Sequence, residues 1–166
     1  MEIKFTKGTD RDYIEARRPD GTMAKTTFPK KGWFPHDAVH LVVERTLGYK
    51  TAFWGRVFLG AEPSEIAAIA KAGGHASSSR AHLPQEQIVE LIQAERIVEC
   101  FEVEMWGEPS DCETFRSVLD AACAHSKVPN PNLSEQAIQA IRGELQALSA
   151  RWQKLTSGEE MILRWS

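Results

Sequence analysis

No stretch of this chain holds the roughly 18 consecutive apolar residues a membrane-spanning helix needs, and the opening Met1-Glu2-Ile3-Lys4-Phe5 has no apolar leader core. The expectation is a cytoplasmic protein. Cysteine is scarce: Cys100, Cys112 and Cys123 are three in number, without C-x-x-C spacing, so neither a disulfide framework nor a cysteine zinc site is expected. Cys112 and Cys123 fall on one helical face, and His125, the nearest base in sequence, falls on another, which argues against a thiol nucleophile. Charge of one sign is missing as well. The 20 Lys and Arg against 23 Asp and Glu leave a net charge of −3 with no long basic tract, so neither nucleic acid nor an anionic membrane is an expected partner. Absent too are a phosphate-binding glycine loop, a nucleophile elbow and a dinucleotide fingerprint, which sets aside the commonest kinase, serine hydrolase and nicotinamide chemistries.

What remains is ordinary globular composition, 42% hydrophobic and 26% charged over 166 residues, enough for one domain, 1–166, to bury its own core. Chemistry-bearing groups concentrate in one segment, Phe34-Pro35-His36-Asp37-Ala38-Val39-His40-Leu41-Val42-Val43-Glu44. Pro35 suits the first position of a helix and Asp37 its positive end, so a helix is expected from Pro35 to Leu47, with Gly48 turning left-handed after it. At about 100° per residue, Val39, Val43 and Leu47 form an apolar stripe, with His36, His40 and Glu44 half-buried along its edge.

Imidazoles at i and i+4 lie about 5–6 Å apart at Cβ and can converge on one metal ion, the arrangement used by H-E-x-x-H zinc helices. Here the residues read H-D-A-V-H, with an aspartate one methylene shorter where those helices carry their general base. The expected ligands are His36, His40 and Glu44, or another helix-borne glutamate, around a divalent transition metal such as zinc, with Asp37 as the catalytic group orienting water. Glu44 stands two turns from His36, so the alternative is that it pairs with His40 while His36 packs against Trp33 or Phe34.

The same P-H-D-x-x-H-x-V-V-E run, followed by Leu47-Gly48 and by Ala52-Phe53-Trp54-Gly55-Arg56-Val57-Phe58, resembles a group of small uncharacterised bacterial proteins with a P-H-D-x-x-H-x-x-V-E core. The resemblance spans roughly residues 1–60, with an echo in 160–165. It implies a bacterial, cytosolic origin and makes the helix a family feature, but it brings no activity with it.

Alternation and turn residues predict strands over 2–7, 12–17 and 22–28, joined at Gly8-Thr9-Asp10-Arg11 and at Pro19-Asp20-Gly21. Met161, Leu163 and Trp165 alternate with Glu160, Ile162 and Arg164, so 160–165 is expected to pair with this meander and bring the chain ends together. Between them the patterning is helical: a short buried helix over 52–60, then 62–72, 84–103, 110–124 and 134–156, with a flexible loop near 73–83 carrying His75 and His82. The fold class is therefore α+β, an antiparallel sheet of about four strands covered by five or six helices. Glu95, Glu99 and Glu102 share a face of the 84–103 helix, and that face would complete a metal site if it packed on the histidines.

Two functions fit. A non-enzymatic binding module, with structural histidines and a groove lined by Trp33, Phe34, Phe53, Trp54 and Phe58, is the reading the composition favours; a metal-binding protein or metal-dependent hydrolase using the His36/His40 helix is the alternative.

Overall fold

The computed structural model describes residues 1–30, 32–72 and 86–166. The expected loop over 73–83, with His75 and His82, and the expected helix start at Pro84 lie outside the described residues. Among them the chain forms β1 (Glu2–Thr6), β2 (Arg11–Arg17), β3 (Met23–Pro29), α1 (His36–Leu47), α2 (Phe53–Phe58), α3 (Pro63–Ala72), α4 (Val89–Trp106), α5 (Cys112–His125), α6 (Glu135–Lys154) and β4 (Glu160–Arg164). A short 3-10 turn, Glu86–Ile88, precedes α4. This is the expected α+β architecture.

The sheet is antiparallel throughout, in the order β3-β2-β1-β4. The period of two puts Ile3, Phe5, Ile14, Ala16, Ala24, Met161 and Leu163 on the buried face. Lys4, Glu15, Lys25 and Glu160 share the other face and pair across all four strands, Lys25 to Glu15 at 2.5 Å, Lys4 to Glu15 at 2.7 Å and Lys4 to Glu160 at 3.2 Å. β4 is the last segment of the chain to join the sheet, and it covers the free edge of β1. Met1 and Trp165 then exchange hydrogen bonds at 2.8 and 2.9 Å, so the chain ends meet.

Capping residues set the helix ends. The Asp111 carboxylate accepts from the amides of Glu113 and Thr114 at the start of α5, and the Ser134 hydroxyl accepts from the Ala137 amide at the start of α6. Pro35 is the residue before α1, in an extended conformation at ψ 122, and His36 is the first helical residue, one position later than expected. Gly48 closes α1 at φ 68, a conformation that costs glycine little.

α1 departs from its expected amphipathic character. Ala38 through Glu44 are all buried, because α2, α4 and α6 pack around the helix and the sheet core lies beside it. His40 and Glu44 are thus interior residues, not rim residues. A polar group placed there must find its partners inside the protein. No helix among the described residues is long and apolar enough to cross a membrane.

Candidate metal centre

α1 and α4 pack side by side, and the polar residues of each face the other. The i, i+4 spacing sets the rings of His36 and His40 edge to face, with centroids 4.8 Å apart. α4 presents Glu95 and Glu102, two helical turns apart on one side. The Oε2 atom of Glu95 lies 3.0 Å from Nε2 of His40 and 3.8 Å from Nε2 of His36. The opposite nitrogen of each ring meets a carboxylate of its own: Nδ1 of His36 donates to Glu102 at 2.8 Å, and Nδ1 of His40 donates to Glu44 at 3.0 Å.

Glu44 is held from two sides. Its Oε1 takes the His40 proton, while its Oε2 accepts the amide of Trp54 at 2.8 Å, at the first turn of α2, where helical amides favour an anion. Gly55 lets the turn between α1 and α2 fold back on α2; a Cβ there would sit 2.2 Å from the carbonyl oxygen of Lys50. Glu44 therefore stands behind His40, on its Nδ1 side. Among the described residues, the carboxylate that stands near both Nε2 atoms is Glu95, from the acidic face of α4, and Glu44, the expected third ligand, stands at Nδ1 of His40 instead.

His36, His40 and Glu95 each offer one ligand atom, all within 4.8 Å of one another. A tetrahedral ion with bonds of about 2.1 Å would hold neighbouring ligand atoms about 3.4 Å apart, so the three need shifts of an ångström or so to share one. The carboxylates at Nδ1 suit this role. By accepting the Nδ1 proton they leave Nε2 as the coordinating atom and raise its basicity.

Protonation follows from the same contacts. Burial disfavours charge on His36, but Glu102 and Glu95 outweigh it and push its pKa up to about 9. Burial acts on His40 too, and Glu44 and Glu95 reverse it, to about 10. Burial raises Glu44 above the usual carboxylate range, with His40 and the α2 amides pulling the other way. Asp37 is also raised, by burial first, against the opposing pull of both histidines. In metal-free protein the carboxylates thus favour a proton on each imidazole, and a metal ion would have to displace the one on Nε2.

Two spaces adjoin the cluster. One is a cleft of about 540 Å³ whose wall includes His36, Asp37, Glu95 and Glu102 with Phe28, Phe34, Trp106 and Trp152. The other, about 140 Å³, is mainly apolar and touches His40 and Phe53 beneath α3. Asp37 lines both, and its backbone carbonyl accepts the Trp54 indole N–H at 2.8 Å. The expected aromatic groove does not form as one surface. Trp54 is a core residue, Phe34 is buried but reaches the cleft wall, Trp33 is half-buried beside it, Phe53 borders the small cavity and Phe58 is exposed. The three cysteines are free, and burial pushes Cys100 and Cys123 each up to about 11, which suits inert thiols.

Two residues at this site carry little signal of their own in the sequence. Glu102 was recognised only as part of an acidic face, with no means of telling it from its neighbour Glu99, which pairs with Arg96 at 2.9 Å. Asp12 lines the cleft and was passed over, although its inward register on β2, in line with Ile14 and Ala16, was a readable signal. No family model matches this chain, and neither the curated proteins nor the solved structures contain a significantly similar one.

Proposed function

We propose that this protein binds a divalent transition metal through Nε2 of His36, Nε2 of His40 and a carboxylate oxygen of Glu95. The observation that carries this reading is the convergence of two Nε2 atoms on one oxygen of Glu95, with a separate carboxylate behind each ring. Two histidines and one glutamate that leave further positions open, beside a cleft, are the donor set of a catalytic and not a closed structural site. Zinc, manganese and iron(II) all suit nitrogen and carboxylate donors of this kind, and such a site activates bound water for hydrolysis. Asp37 would hold or accept the proton of that water. A bacterial cytoplasm, where thiols stay reduced, is the setting we propose, in keeping with three free cysteines.

A second reading keeps the histidines structural, within a binding module. It is favoured by the fact that all four ring nitrogens already face carboxylates. Metal analysis of protein purified without a polyhistidine tag separates the two. The metal reading expects near-stoichiometric zinc, manganese or iron in the wild type, and its loss in Glu95→Gln and in the His36→Ala/His40→Ala double variant. Equal trace metal in all three would leave the structural reading standing.

A further inference from the structure

β2 alternates inward and outward, and its inward residues are Asp12, Ile14 and Ala16. A carboxylate at the first of these breaks an otherwise apolar sheet face. Asp12 is 5% exposed, and an ionised group so buried requires partners. It has few. Its Oδ1 accepts the Gly8 amide at 3.0 Å, and the Lys30 ammonium stands 4.0 Å from that same oxygen, beyond hydrogen-bonding distance. Among the described residues nothing donates to Oδ2.

Asp12 and Lys30 line the same cleft as His36 and Glu102. The cleft wall is aromatic as well, and Trp106 there is 71% exposed. In charge, the wall sets the carboxylates of Asp12, Asp37, Glu95 and Glu102 against Lys30 and His36. An anion entering would meet mostly carboxylates. An organic cation would gain both from a buried carboxylate and from ring faces that attract positive charge. At about 540 Å³ the space suits a small molecule.

We infer that this cleft binds small primary amines with a flat apolar body, the ammonium at Asp12 and the body against Phe28 and Trp106. The assignment names the ligand class of the site proposed above, and rests on that reading only in taking the amine as the molecule presented to the metal.

The test is calorimetric titration of the full chain, zinc-loaded and zinc-free, with two probes of equal body and opposite charge, phenethylamine and phenylacetate. Phenethylamine should bind and phenylacetate should not. Asp12→Asn keeps an acceptor for the Gly8 amide and should weaken the amine by about tenfold or more, as loss of a charge-assisted hydrogen bond does. Lys30→Met removes a competitor for the carboxylate and should tighten amine binding, a second readout if Asp12→Asn folds poorly. Equal binding of the two probes, an Asp12→Asn variant that melts normally with unchanged amine affinity, or weaker binding in Lys30→Met would overturn the inference. Zinc uptake without amine binding sinks this inference alone, and amine binding without zinc uptake sinks the metal reading alone.

Discussion

The outer face of the sheet and the seam between α1 and α4 both carry a row of alternating charges, yet they differ in what the charges can do. On the sheet, Lys25, Glu15, Lys4 and Glu160 form a ladder in contact with water, where solvent screens each pair and stability gains little. In the seam, His36, His40, Glu44, Glu95 and Glu102 are packed between helices, with Glu44 0% and His40 4% exposed. For His40 and Glu44 water is not available to replace a lost partner, while His36, Glu95 and Glu102 carry the row out to the cleft. The ladder keeps a sheet face soluble and in register. The seam holds lone pairs in fixed directions, which is the property a metal site needs.

The largest effect should come from removing Glu44. Glu44→Ala leaves His40 Nδ1 and the Trp54 amide without their acceptor, and breaking a buried pair in this way costs about 3–5 kcal/mol. Denaturant melts of Glu44→Ala beside Glu15→Ala would measure the contrast, the sheet variant remaining close to wild type. Similar losses in the two would erase the distinction.

Next in size is metal. Zinc at about one hundred times its dissociation constant should stabilise the native state by about 2.7 kcal/mol, read as a rise in melting temperature that a chelator reverses. Glu95→Gln should abolish the rise, and Glu160→Gln, on the ladder, should leave it intact. A smaller effect is expected from Gly55→Ala. Its Cβ meets the Lys50 backbone and forces the turn between α1 and α2 to shift, for about 1–3 kcal/mol by thermal or denaturant melts.

The pH effects of the two regions run in opposite directions. Lys25 and Lys4 hold Glu15 down to about 2 from its ordinary 4.5, so the ladder's contribution is complete above 4.5 and fades as pH falls towards 2. His36 and His40 are raised, so in metal-free protein their contribution is complete below about 6.5 and fades as pH rises through 9 and 10. Melting temperatures of wild type and Glu15→Gln should therefore converge on the acid side only. The alkaline loss should persist in Glu15→Gln and be suppressed when zinc is bound.

Much of the fold was legible locally. Alternation marked three strands and the β-favouring run before Pro29 a fourth, turn residues marked the hairpins, and Asp111 and Ser134 began helices and Gly48 ended one where their chemistry fits. The pairing of 160–164 with β1 was readable because Met161 and Leu163 need a buried face and β1 has a free edge. Less legible was the depth of α1. Its one-sided apolar stripe predicts a rim helix, and only the packing of three other helices around it makes His40 and Glu44 interior.

The sequence by itself determined that His36 and His40 lie on one side of one helix, since 3.6 residues per turn allows nothing else, and that Glu95 and Glu102 share a side of another. Only the tertiary structure decided that those two sides meet. The choice of Glu95 over Glu44 at Nε2 depends on how α4 crosses α1, and on α2 holding Glu44 at Nδ1 through the Trp54 amide. Contacts of that kind, between residues up to 66 positions apart, are set by how whole helices pack and leave no periodic trace in the chain.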